Sequence, residues 1–313
     1  MERFDYNAPT VPLAANYFRN RAFQLLADGF QWSGEVTPLH WESNEWGAET
    51  TYLRDGDEYY STYVLANARG DGHMKRYLPK MASMGAGFVT TGPCKVYELL
   101  SRYVKNVQLV GEHLEWPAYR AVERFYESRQ AERSGLFLMN HVDEGVAILR
   151  QYGLNNVEDK EVLSAFMLHP LVQRDEDLAF NWERLRPRPR YQHDGGYVYH
   201  ETPQDLEALM LALEYRNIAN QFLSPMEHHP GYENHEKIAL SHPSVSFMLL
   251  ADKVQNYKDF LAHHKESHHR ARFLDRYFKQ WFRRLDLSLD DYHALAARIT
   301  VPEPTINEIP KIA

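Results

Sequence analysis

Hydrophobic periodicity changes once along this chain of 313 residues, at Ser134, and that change limits the possible folds more than any other feature. Before it, short β-like runs alternate with helical stretches. After it, apolar residues recur at helical spacing and convincing strands nearly vanish. Upstream, Leu13 to Asp28 reads as a helix stopped by Gly29. Glu35 to Glu42, Thr50 to Leu53 and Tyr59 to Leu65 read as strands, and the turn Asp55-Gly56-Asp57 joins the last two as a hairpin. The loop Arg69-Gly70-Asp71-Gly72 leads into a helix-like stretch ending at Met84. Gly87 to Thr91 and Val107 to Val110 read as strands, and Lys95 to Val104 and Tyr119 to Gln130 as helices. This alternation predicts an α/β or α+β layer domain over residues 1–134.

Downstream, the spacing predicts helices over 137–152, 158–169, 175–184, 204–223, 243–263, 268–285 and 288–298. Thr202 and Pro203 make a good start for the fourth of these. The segment Arg186 to Gly196, with Pro187 and Pro189, reads as an irregular connection. An all-α domain over 135–300 is therefore expected, followed by an extended tail over 301–313. The fold class is α+β.

Charge and cysteine content narrow the function classes. The net charge of −8 argues against a general nucleic-acid or anionic-membrane binder. Cys94 is the one cysteine, so no intramolecular disulfide and no zinc site built on several cysteines can form. The N-terminus lacks the layout of a signal peptide, and no apolar run approaches the ~20 residues needed to span a bilayer. A cytoplasmic protein with no membrane partner is expected, and a homo-oligomer is left open.

Three helical segments carry the chemistry. They are Met139-Asn140-His141-Val142-Asp143, Ala165-Phe166-Met167-Leu168-His169-Pro170 and Leu249-Leu250-Ala251-Asp252-Lys253-Val254-Gln255-Asn256. Each sets a polar residue inside an apolar face. Burying an imidazole or a carboxylate is costly unless it is paired or bound to metal. His141, His169 and Asp252 lie on different helices and can meet only in a core, where a shared divalent ion is an economical partner. Neutral imidazole nitrogen and carboxylate oxygen suit Mn, Fe, Co or Zn.

In order and wording these segments resemble the HD metal-dependent phosphohydrolases, in particular the hydrolase domain of the Rel/Spo alarmone enzymes. His141 matches that family's first helix-borne His. Leu168-His169 matches its Leu-His-Asp segment, with Pro170 where the Asp stands. Leu250-Ala251-Asp252-Lys253-Val254-Gln255-Asn256 is similar to its Leu-Ala-Asp-Arg-Leu-His-Asn motif. The likeness covers about residues 135–285. It implies an HD-like helical fold, with His141, His169 and Asp252 as metal ligands, and His169 and Asp252 at the catalytic centre. The family's downstream acidic pair falls near Gln173-Arg174.

Other polar residues on these helices are candidates for a nucleotide-like ligand. Arg216 and Asn220 are spaced i,i+4 and share a face, either to hold a phosphate and a base or sugar or simply as solvated surface. Asn256 follows Asp252 by four residues and points the same way. His264 and His268 have chelating spacing but read as surface.

The N-terminal part resembles the GNAT acyltransferases. Arg69-Gly70-Asp71-Gly72-His73-Met74 is similar to that family's pyrophosphate loop, and Ala121-Val122-Glu123-Arg124-Phe125-Tyr126 to its late Ala-x-x-Phe-Tyr element. The likeness implies a GNAT-like α/β layer. Arg69, Gly70 and Gly72 would then approach an acyl-CoA, and Tyr126 would act as general acid. Three functions are thus open. One is metal-dependent phosphohydrolysis of a nucleotide or related phosphoester. The others are acyl-CoA-dependent N-acyl transfer, and non-catalytic nucleotide binding or assembly.

Overall fold

The structure, a computed structural model, describes residue 27 and residues 36–43, 48–55, 58–66, 88–91, 107–110, 112–127, 129–131, 135–154, 159–186, 188–190, 199–201, 205–223, 239–240, 242–300 and 307–308. The chain divides into two compact units. One comprises Met1–Leu114 with Thr300–Ala313, and the other Glu115–Ile299.

In the first unit the described segments are strands β1 (Val36–Ser43), β2 (Ala48–Asp55), β3 (Glu58–Ala66), β4 (Phe88–Thr91), β5 (Val107–Val110) and β8 (Asn307–Glu308). β2 and β3 form the expected hairpin, closed by the pair Asp55 and Glu58 around Gly56-Asp57. β8 pairs in parallel with β1, His40 opposite Asn307, which gives a four-stranded order β3-β2-β1-β8. The expected extended tail over 301–313 thus includes a short strand. β4 and β5 form a separate parallel pair.

The expected fold class needs correction. A GNAT-like α/β layer over residues 1–134 is not seen. Such a layer needs helices alternating with the strands of one sheet. The described strands fall into separate sheets, and no complete α-helix accompanies them among the described residues of this unit. The stretch read as the layer's last element lies instead on helix α1 (Pro117–Tyr126) in the second unit. It buries Ala118, Tyr119 and Val122, so its apolar face belongs to the helical core. The expected helices over 74–84 and 95–104, the helix over 13–28 apart from Ala27, and the loop with Arg69, Gly70 and Gly72 lie outside the described residues.

The second unit is built of helices at the positions the apolar spacing predicts. They are α2 (Met139–Gln151), α3 (Lys160–Val172), α4 (Asp175–Leu185), α5 (Leu206–Leu223), α6 (Pro243–Asp259), α7 (Ala271–Arg284) and α8 (Leu289–Arg298). The expected irregular connection is partly ordered as a small antiparallel pair, β6 (Arg188–Arg190) with β7 (Tyr199–Glu201). α2 ends at Gly153, whose φ of 94° suits only glycine well. α8 begins with a capping box, in which the Ser288 side chain accepts from the Asp291 N–H and the Asp291 carboxylate accepts from the Ser288 N–H.

α3 is the central helix. Every residue from Val162 to Val172 is buried, which explains its apolar character all round. α1 and α5 pack against it, and α2 packs on α6. A second apolar cluster forms where Tyr257, Phe278, Phe282 and Tyr292 meet at ring-centroid distances of 4.9–5.4 Å. α6 runs on into one π-helical segment, Phe260–His264. No described helix is long and apolar enough to cross a membrane.

Candidate metal centre

His141 stands in the first turn of α2, His169 in the last turn of α3 and Asp252 in the middle of α6. The packing of those three helices brings the side chains to one place. His141 Nε2 lies 3.2 Å from His169 Nε2 and 3.6 Å from Asp252 Oδ1, and His169 Nε2 lies 3.9 Å from the same oxygen. A triangle with these sides has its centre about 2.1 Å from each corner, the bond length of a zinc-class ion to histidine nitrogen or carboxylate oxygen. The cluster can hold a metal ion. His169 and Asp252 are almost wholly buried, whereas the His141 side chain is 20% exposed. Solvent therefore reaches the trio on the His141 side.

The hydrogen bonds around the trio determine the protonation of each ligand. Gln255 Nε2 donates to Glu144 Oε2 and to Asp259 Oδ2, each at 2.8 Å. Two carboxylates leave the amide only one orientation, so its Oε1 faces His141 Nδ1, 2.5 Å away. His141 must then carry its proton on Nδ1. His169 Nδ1 donates to the Phe166 carbonyl at 2.5 Å, which settles the second ring in the same way. Both Nε2 atoms are left with bare lone pairs pointing at each other. That contact is repulsive unless a cation lies between them. Fixing a ring through its other nitrogen is how proteins orient metal-binding histidines.

Electrostatics favour the same state. Burial, with His141 and Lys253 adding to it against Asp252 and the Phe166 carbonyl, holds the His169 pKa down at about 3. The ring is neutral and available as a ligand near pH 7. Burial pushes the Asp252 carboxyl up, but the Lys253 ammonium beside it overcomes this and holds it below its ordinary value. Lys253 Nζ binds Asp252 Oδ2 at 2.7 Å, while Asn256 Nδ2 donates to Oδ1 at 2.7 Å. One lone pair of Oδ1 remains for an ion. The Lys253 charge offsets that of Asp252, so a divalent ion here keeps most of its own field for an anionic ligand.

The surroundings are tightly built. Gly145 carries no side chain where the Phe166 ring lies, and that ring packs at a tilt against His169, with centroids 4.7 Å apart. Tyr215 packs edge-on to His169 at 5.0 Å. Its hydroxyl is buried within hydrogen-bonding reach of Asp252 and Gln173, and burial together with Asp252 raises its pKa well above the usual value. It is a neutral donor beside the trio. Glu144 is also fully buried. Burial pushes its pKa up to about 7, against the pull of Lys258, which pairs with it.

The other candidates fall elsewhere. Asn256 sits where its spacing places it, on the Asp252 carboxylate. Arg216 pairs with Asp175, and Asn220 donates to the Gln173 carbonyl at 3.2 Å. Both therefore fasten α5 to the turn between α3 and α4. Tyr126 belongs to α1, where burial raises its pKa and Asp252 contributes. Asp143 accepts from the Tyr119 hydroxyl at 3.0 Å rather than joining the trio. His268 Nδ1 accepts from the Arg270 N–H at 3.1 Å, and among the described residues neither it nor His264 joins a group of three metal-ligating side chains. Sequence reasoning passed over Glu144, Gln255 and Tyr215. The signal for Gln255 was its place at i+3 from Asp252 and i−4 from Asp259, on one face of α6. No protein family, no curated protein and no solved structure matches the chain.

Proposed function

We propose that the helical unit is a metal-dependent phosphohydrolase of HD type acting on a nucleotide or a related phosphoester. The observation that carries this reading is the convergence of two Nε2 lone pairs and Asp252 Oδ1 around a point at metal-bond distance from all three. Two imidazoles and one carboxylate suit Mn, Fe, Co or Zn and leave coordination positions open. A divalent ion held there supplies a Lewis acid that activates water and polarises a phosphoryl oxygen. The protein's own groups do the rest. Gln255 and the Phe166 carbonyl keep both rings in the metal-binding tautomer, Asn256 and Lys253 aim the carboxylate, and the Tyr215 hydroxyl offers a proton to an oxygen of the bound ester.

Pro170 favours a second reading, in which a non-catalytic nucleotide-binding protein retains the helical frame. It stands where the resembled motif has an acidic ligand. The facing lone pairs argue against a site that only bonds to itself. Metal analysis of protein prepared with Mn, Fe, Co and Zn, together with Asp252→Ala, tests the leading reading. One ion per chain in the wild type, lost in the variant, and hydrolysis of some member of a nucleotide panel are expected. Wild-type protein free of metal under all four conditions would sink it. Metal without turnover would favour the second.

A further inference from the structure

Pro170 lies inside α3, immediately after His169, and is buried. In an α-helix the N–H of residue 170 would bond to the carbonyl of residue 166. Proline has no N–H, so the Phe166 carbonyl loses its partner in the helix ladder. That carbonyl accepts from His169 Nδ1, at 2.5 Å. A buried carbonyl needs a donor, and the imidazole one residue before the proline supplies it. The two gaps complete each other: the helix lacks one donor, and the ring needs one acceptor.

We propose that Pro170 is a positioning residue. By withholding its own N–H it reserves the Phe166 carbonyl for His169 Nδ1, so that the Nε2 lone pair of His169 faces His141 and Asp252. A proline at this place gives up a ligand and gains a fixed tautomer. The same geometry explains how a helix-interior proline is tolerated in the buried part of the unit. The carbonyl it strands is satisfied by a side chain.

The test uses the full-length protein and Pro170→Ala, which restores an N–H to compete for the Phe166 carbonyl and fits a helix better. Long-range 1H–15N NMR of the metal-free protein reads the His169 ring directly. The wild type should show the proton on Nδ1, and the variant a mixture of Nδ1–H and Nε2–H forms. Calorimetry with Co2+ should show affinity reduced ~10–100-fold in the variant while its thermal midpoint holds or rises. A role confined to the helix would shift only the midpoint. The metal arm rests on the site proposed above, whereas the tautomer arm needs no metal. If the wild type binds none of Mn, Fe, Co and Zn, the phosphohydrolase reading fails and the Pro170 assignment is still decided by the ring spectra. A wild-type His169 protonated on Nε2, or a variant with an unchanged tautomer, would overturn the assignment.

Discussion

Phe166 lays the edge of its ring against the bare Cα of Gly145, so that any Cβ at position 145 would overlap the ring. The same ring packs at a tilt against His169. The glycine thus sets the distance between α2 and α3, and with it the spacing of the two imidazoles. Gly145→Ala should force Phe166 aside. Overpacking of this kind costs ~1–3 kcal/mol, against a gain of up to ~1 kcal/mol from better helix propensity. A lower urea midpoint and weaker metal binding are expected together. An unchanged metal affinity would show that the helix spacing does not set the site.

Gln255 holds the second imidazole. Gln255→Leu removes the acceptor for His141 Nδ1 and leaves the ring free to adopt either tautomer. Metal affinity should fall by ~10–100-fold, as is usual for losing such an outer partner. Titration with Mn2+ or Co2+ measures this directly, and equal affinity in both proteins would count against the assigned network.

Glu144 gives the unit a pH signature. Its carboxyl has a folded pKa of about 7 against an ordinary value of 4.5. Between those values the folded chain keeps a proton that the unfolded chain releases. Stability from this group is therefore complete below about pH 4.5 and is lost as the pH rises through about 7. The loss is of the order of 3 kcal/mol at 1.36 kcal/mol per unit. Glu144→Gln should abolish that slope, so the variant gains on the wild type steadily from pH 4.5 to 7. Urea midpoints across this range give the answer, and parallel curves would refute it.

Tyr215 separates stability from chemistry. Its buried hydroxyl meets Asp252 and Gln173, so removing it costs about one net hydrogen bond, ~1 kcal/mol. Tyr215→Phe should fold with a slightly lower urea midpoint than the wild type and still bind metal. If the hydroxyl serves a bound phosphoester, turnover should drop by roughly tenfold or more, the worth of a hydrogen bond to a charged group. Equal kcat in variant and wild type would remove Tyr215 from the site.

The helices were legible because apolar spacing at a period of 3.6 survives any tertiary arrangement. The trio was legible because His141, His169 and Asp252 interrupt runs that would otherwise be wholly apolar. Partner choice was not legible. Arg216 and Asn220 share a face, as their spacing requires, but only the packed fold shows that this face meets Asp175 and Gln173. Tyr126 was drawn into the N-terminal layer by a short sequence likeness, whereas the burial of Tyr119 and Val122 ties its helix to the helical core. Pro170 read only as a missing ligand, because a hydrogen bond that proline cannot make leaves no mark in a one-dimensional pattern.

The unequal exposure of the trio would impose an order on the loading and release of an ion held there. An ion arriving from solvent meets the His141 imidazole first and sheds its remaining water as it passes inward to Asp252 and His169. Departure runs in reverse, and the last bond to break is the one a chelator can reach. Occupancy of such a site is governed by traffic through a single ring.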